Sequence, residues 1–299
     1  MMKRIFLFIA VNILVVTTIS LMLNLLGIRP YLTRSGIDYQ ALLAMCSVVG
    51  FTGAFISLAI SRMMAKMMMG VQVIDPASAR GEEKELVNLI HRLSQRAGLT
   101  VMPEVGIYQS PEVNAFATGP SKNRSLVAVS TGLLTTMNSQ AVEGVLGHEV
   151  AHIANGDMVT MTLVQGIVNT FVMFFARIAA WILSSYLEGN RDREESRSVG
   201  WSYYLCSFVF EILFSLLGMI VVCYFSRRRE FRADAGSAQF AGKEKMISAL
   251  QALKSQYENI DPSHPSVATL KISGRKGFWT LLSTHPSLDD RIAALRGRL

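Results

Sequence analysis

The sequence predicts a mainly α-helical, multi-pass membrane protein that carries an α+β domain with a small sheet. Three observations predict it. Mean hydropathy is +0.34, with 51% hydrophobic and only 17% charged residues, too apolar for an ordinary soluble protein. Four apolar stretches, residues 5–26, 41–60, 159–183 and 201–224, each reach the roughly 20 residues that a helix needs to cross a hydrocarbon core. Between the second and third, the hydrophobic period changes from helical to strand-like and back. The same composition excludes a disordered chain, and Cys46, Cys206 and Cys223 all lie in apolar runs, where cysteine acts as a small hydrophobe rather than a disulfide partner.

The first stretch follows Lys3-Arg4 as a signal peptide would. Its apolar part is too long for that, and no small-residue cleavage site follows at Gly27-Ile28-Arg29-Pro30, so it reads as an uncleaved anchor. Residues 1–60 then form a two-helix membrane anchor. Met63, Met64, Met67, Met68 and Met69 read as an interfacial continuation of the second helix, with Arg62 and Lys66 as anchors; the alternative is an adaptable substrate surface.

Residues 61–157 are the first part of the extramembrane domain. Leu86, Leu89, Ile90 and Leu93 repeat at helical spacing within residues 81–99, with Gly98 as a stop signal. Residues 104–108, 114–118 and 126–130 read as strands, broken by Ser110-Pro111 and Gly119-Pro120-Ser121. The helical period returns after Thr131, with Ser139 as N-cap of a helix over residues 140–154.

Residues 158–226 supply a second helix pair with polar stripes: Thr162, Gln165, Asn169 and Arg177 on one helix, Ser207, Glu211 and Ser215 on the other. Such groups should face protein, not lipid. Opposite chain directions put Arg177 and Glu211 at comparable depth, as an ion pair that glues two helices or as part of a functional pathway. Residues 227–299 complete the domain.

The net charge is +7, but the basic residues gather beside apolar segments and no nucleic-acid motif surrounds them. They read as orientation signals. Lys3, Arg4, Arg62, Lys66, Arg227, Arg228, Arg229 and Arg232 fall on one side, against Arg29, Arg34, Arg191, Arg193 and Arg197 on the other. This bias places both termini and residues 61–157 in the cytoplasm.

The helix over residues 140–154 contains His148-Glu149-Val150-Ala151-His152, an H-E-x-x-H pattern. At 3.6 residues per turn both imidazoles lie on one face, about 6 Å apart along the axis, so they can reach one zinc ion. Glu149 is turned about 100° aside, poised as general base for water at that ion. A metzincin continuation would need Gly at Asn155 and His at Met158, and has neither. The remaining common solution is a carboxylate from a later helix, a gluzincin-type site. Glu230 and Asp234 stand at i and i+4: the first as third ligand, the second as acceptor for the outer N–H of a ligand histidine. Asp157 is the competing acceptor. Pairing of Glu230 with Arg227 on a solvated face is the alternative. Two crossings separate His152 from Glu230, so all three ligands return to one side, close to the membrane.

Four segments together resemble the bacterial membrane-bound heat-shock zinc metalloproteases of the HtpX family, related to the CAAX-type prenyl proteases. They are residues 114–119 (NAFATG), 147–157 (GHEVAHIANGD), 230–238 (EFRADAGSA) and 284–292 (THPSLDDRI), in family order between hydrophobic pairs. The resemblance covers nearly the whole chain. It implies an integral metalloendopeptidase of the bacterial inner membrane with one Zn2+ per chain, held by His148, His152 and Glu230, and with Glu149 catalytic. Misfolded membrane proteins under stress would be its substrates and the lipid bilayer its surroundings. His285 is a candidate oxyanion donor or a helix N-terminal packing residue; the family match favours His285-Pro286-Ser287 over His264-Pro265-Ser266. Asn114 opens a candidate edge strand that would align an extended substrate or merely complete the sheet. Gly242-Lys243 lacks the upstream glycine of a phosphate-binding loop, so hydrolysis without ATP is expected. A non-catalytic scaffold with structural zinc is the competing class; Glu149 and a three-ligand count argue against it.

Overall fold

In the computed structural model, which describes residues 2–33, 36–188, 200–259 and 281–297, every apolar run is helical. The chain passes through α1 (Met2–Leu25), a hairpin of β1 (Leu32–Thr33) and β2 (Gly36–Ile37), and α2 (Tyr39–Met69). Then come β3 (Gln72–Val73), α3 (Gly81–Arg96), β4 (Glu104–Tyr108), β5 (Ala115–Ser121) and β6 (Arg124–Ser130). The helices α4 (Thr131–Thr136), α5 (Ser139–Asn155), α6 (Asp157–Glu188) and α7 (Trp201–Ser237) follow. A π-helical turn (Ala238–Gly242) joins α7 to α8 (Lys243–Asn259), and α9 (Leu288–Leu295) is last. Among the described residues, α2, α6 and the continuous run from Trp201 are long and apolar enough to cross a membrane. Within α1, Ile13–Leu25 is a shorter apolar helix. Arg191, Arg193, Arg197 and His264 lie outside the described residues.

One unit comprises Met1–Ile56 and Thr162–Val222. Small residues let its helices approach closely: a Cβ on Gly50 of α2 would stand 2.7 Å from Thr170 Oγ1 and 2.9 Å from Gly166 O on α6. In a lipid setting, where burial supplies little drive between helices, such backbone contact carries association. Arg177 Nη1 lies 2.6 Å from Glu211 Oε1, the pairing that the depth argument expected. The polar stripe on α6 also satisfies itself, Gln165 donating to Asn169 at 2.7 Å. Leu163, Ile167 and Phe171 of α6 and Phe208, Ile212 and Leu216 of α7 are exposed, as lipid-facing residues would be.

The other unit comprises Ser57–Met161 and Cys223–Leu299. Its sheet has the order β3-β4-β6-β5, with β4 and β6 parallel and the other pairs antiparallel. β5 is therefore an edge strand. The break expected at Gly119-Pro120-Ser121 is instead an irregularity inside β5, where the register shifts between Thr118 and Ser121. An edge strand tolerates proline, whose missing N–H faces no partner. Gly119 has φ +144°, and a Cβ there would stand 2.2 Å from Arg124 O. Arg62 and Lys66 pair with Glu104 of β4, at 3.4 and 2.6 Å, so protein rather than lipid takes their charge. The methionine-rich segment continues α2 to Met69.

Two features of α5 decide where its motif sits. Leu146, Val150 and Ile153 enter the core with Leu86, Ile90 and Leu93 of α3 and Val127 and Val129 of β6. Gly144 and Gly147 face the other way: a Cβ on Gly144 would meet Lys245 O at 2.3 Å, and one on Gly147 would meet Ser237 Oγ at 2.7 Å. Ser237 Oγ also donates to Gly144 O at 2.7 Å. The glycines thus bring α5 against the end of α7 and the start of α8. The helix is capped by Asn138, whose Oδ1 accepts from Ala141 N at 2.8 Å, with Ser139 the first helical residue rather than the cap.

Candidate metal centre

Three elements converge on one cavity of about 300 Å³. α5 contributes His148, Glu149 and His152, α7 contributes Glu230, and Asn114 with the start of β5 forms another wall. The turn after α5 depends on Gly156, which ends that helix at φ +70°, a conformation that costs glycine little. Its reversal starts α6 at Asp157, five residues from His152. Asp157 Oδ2 then stands 2.7 Å from His152 Nδ1.

His148 Nδ1 lies 2.9 Å from Asp234 Oδ1. An ionised carboxylate only accepts, so each histidine donates its Nδ1–H outward and presents Nε2 to the centre of the site, where a bound cation would take the place of a second proton. The two Nε2 atoms stand 3.1 Å apart. Glu230 Oε2 is 3.4 Å from His148 Nε2, and Glu230 Oε1 is 3.4 Å from His152 Nε2. Ligand atoms of His148, His152 and Glu230 all lie within 4.8 Å of one another. Glu230 is only 1% exposed, and its buried Oε1 has no hydrogen-bond partner. Two facing Nε2 atoms beside a carboxylate oxygen that has no hydrogen bond form a donor set that suits a divalent cation such as zinc.

The electrostatics follow from the same contacts. Burial opposes ionisation of Glu230, but the imidazoles of His148, His152 and His285 around it, the last hydrogen-bonded to Oε2, outweigh it and hold the carboxyl far below the usual carboxylate range. Burial likewise opposes the charge of Asp234, and Arg291 and His148 overcome it, again lowering the pKa. Desolvation alone would discharge the histidines, yet Asp157 and Glu230 hold His152 up, to about 9, and Asp234 and Glu230 raise His148. Together these shifts mark a pocket arranged to hold positive charge.

Among the described residues, every candidate for the metal centre lies at this site. Glu149, His148, His152, Glu230, Asp157, His285 and Asn114 line the cavity, and Asp234 stands behind His148. Asp157 and Asp234 are not competitors: each holds a different histidine. Arg227 does not take Glu230; it donates to the carbonyls of Leu281 and Ser283, at 3.1 and 2.7 Å. His285 is 57% exposed, and its Nδ1 donates to Glu230 Oε2 at 2.9 Å. Asn114 shares both backbone hydrogen bonds with Ser130, its N–H to Oγ at 3.0 Å and its carbonyl from the N–H at 2.9 Å.

Two arginines escaped the sequence reading. Arg291 of α9 is buried, and its Nε and Nη2 grip both oxygens of Asp234 at 2.7 and 2.6 Å. Arg232 holds the second oxygen of Asp157 at 3.0 Å. Arg291 had a signal: with Leu288, Ile292 and Leu295 it occupies the i, i+3, i+4, i+7 face that packs inward. A charge on a core-facing stripe asks for a buried partner.

Comparison with known proteins agrees with this geometry. The model of Peptidase family M48 matches residues 80–299. The chain is 57% identical to the Protease HtpX homolog of Bacillus subtilis (strain 168), over 100% of both chains. It is also 57% identical to the Protease HtpX homolog of Bacillus licheniformis, over 99% of each, and 50% identical to Protease HtpX of Shewanella piezotolerans, over 99% of each. The crystal structure of S. mikatae Ste24p superposes with a TM-score of 0.65 at 15% identity, over 99% of this chain and 65% of that one. At that identity the likeness speaks for the fold alone. With a family match over residues 80–299, full-length relatives and helices fit to span a bilayer, the chain belongs to peptidase family M48 and is a membrane metalloendopeptidase.

Proposed function

We propose that the protein is a zinc-dependent, ATP-independent endopeptidase of the bacterial inner membrane that hydrolyses misfolded or damaged membrane proteins at the cytoplasmic face. The observation that carries this reading is the pair of inward-facing Nε2 atoms 3.1 Å apart beside the buried, unpartnered Glu230 Oε1. His148, His152 and Glu230 would hold zinc, which supplies Lewis-acid polarisation of the scissile carbonyl and lowers the pKa of water from 15.7 toward about 7.

The remaining roles belong to side chains. Glu149, half-buried in the same cavity, takes a proton from the attacking water and returns it to the leaving amine. His285 reaches the cavity rim and, while tied to Glu230 through Nδ1, offers its other nitrogen toward a developing oxyanion. The start of β5, an edge strand lining the cavity, aligns an extended substrate by main-chain pairing. The charge bias toward Arg227, Arg228, Arg229 and Arg232 supports the cytoplasmic side. Relatives named Protease HtpX support proteolysis as the activity; misfolded membrane proteins as substrates are what the family resemblance implies.

Purification in detergent with metal analysis and a casein cleavage assay tests the reading. One zinc per chain and cleavage that stops with chelator and returns with zinc are expected, with or without ATP. Chelator-insensitive or strictly ATP-dependent cleavage would contradict it.

A further inference from the structure

A second, larger cavity adjoins the metal centre and has no part in the chemistry above. It is a half-open recess of about 980 Å³, within the range of about 300–1,000 Å³ typical of ligand sites. Asp157, Arg229 and His285 line both it and the cavity that contains His148, Glu149 and His152. A substrate held at the metal centre therefore has a side-chain recess directly beside it. The walls are apolar, formed by Met161, Tyr224, Phe225, Phe231 and Leu281.

The position of these residues along the chain indicates what enters. Met161 lies where α6 begins its apolar stretch, and Tyr224 and Phe225 lie where that of α7 gives way to Arg227, Arg228 and Arg229. The arginines on the rim are largely engaged with the protein: Arg227 with two carbonyls, Arg232 with Asp157, and Arg228 over the Tyr224 ring at 5.6 Å. What the recess offers a ligand is apolar and aromatic surface under a rim where four arginines outnumber Asp157 and Asp290.

We infer that this cavity is a specificity pocket of the peptidase, which receives one large apolar or aromatic side chain flanking the scissile bond and disfavours lysine and arginine there. The inference rests on the peptidase reading of the adjoining centre. It also suits the substrate class: the ends of transmembrane segments mix aromatic with basic residues on the cytoplasmic side, and this pocket would choose the former.

The test uses the zinc-loaded full chain in detergent, with casein and a peptide library varied at each position around the cut, read by mass spectrometry. At one position Phe, Tyr, Leu and Met should exceed Ala in kcat/KM by at least about 10-fold, the low end of what a single methylene contributes in an apolar pocket, and Lys and Arg should fall below Ala. Met161→Trp and, separately, Leu281→Trp narrow the recess and should move preference toward small residues. Arg228→Glu should raise Lys relative to Ala. Cleavage with a flat profile, or with a preference that none of these variants moves, overturns the pocket and leaves the peptidase reading intact. Failure of the zinc-loaded chain to cut either casein or the library contradicts both.

Discussion

Each histidine of the centre is oriented by a carboxylate, and each carboxylate is held in turn by an arginine: Arg291–Asp234–His148 and Arg232–Asp157–His152. The two chains differ in burial. Arg291 is 7% and Asp234 2% exposed, whereas the Arg232 side chain is 60% exposed. Removing one partner of a buried pair leaves an uncompensated charge and costs about 3–5 kcal/mol, far more than an exposed pair contributes. Arg291→Met should therefore lower both stability and zinc affinity, and Arg232→Met should change stability little; denaturant titration with metal analysis separates them. Deleting a ligand should be more severe for the metal than deleting its support. His148→Ala, His152→Ala and Glu230→Ala should each strip zinc, whereas Asp234→Asn and Asp157→Asn should weaken it about 10- to 100-fold. Full zinc retention in Glu230→Ala would remove that residue from the ligand set. Asp234 also sets an acid limit. Its carboxyl is held below the ordinary value, so its stabilisation is fully present above about pH 4 and is lost as pH falls through the depressed folded value. Asp234→Asn should flatten that acid limb in a stability–pH profile.

Helix packing determines whether these side chains meet at all. Gly144 touches the Lys245 backbone, which cannot swing aside as a side chain would. Gly144→Ala should push α5 from α8 at a cost of about 1–3 kcal/mol and lower zinc occupancy together with thermal stability; an unchanged melting temperature would contradict this account of the contact. Gly156→Ala should act through the backbone instead, by penalising the left-handed turn that aims Asp157 at His152. The H-E-x-x-H face was legible because helix geometry alone fixes an i, i+4 pair. Other elements were not. β3 is only two residues long, too short for any period. Asn138 and Ser139 are both good cap residues, so the start of α5 was ambiguous by one position. Gly119-Pro120 reads locally as a break, and only pairing with Arg124 in β6 keeps Ser121 in the strand. The π-helical turn Ala238–Gly242 has no sequence period of its own, although it is where α5 packs against Ala241.

At the scale of the whole chain, the two runs of sequence that carry the centre are separated by a helix pair, residues 158–226. Ligands from both sides of that pair were inferable from counting crossings, because an even number returns the chain to the side it left. The side itself is proposed on the bias of Lys and Arg alone. A single cysteine at Ser196 should react with an impermeant reagent from outside intact cells, and one at Ser139 should not; the reverse pattern would overturn the cytoplasmic assignment. The central claim is that His148, His152 and Glu230 bind zinc while Glu149 moves the proton. The most direct measurement is zinc stoichiometry and casein cleavage on the same preparation of Glu149→Gln. The account predicts one zinc per chain, an unchanged fold and no detectable proteolysis. Loss of zinc along with activity, or retained proteolysis, would contradict it.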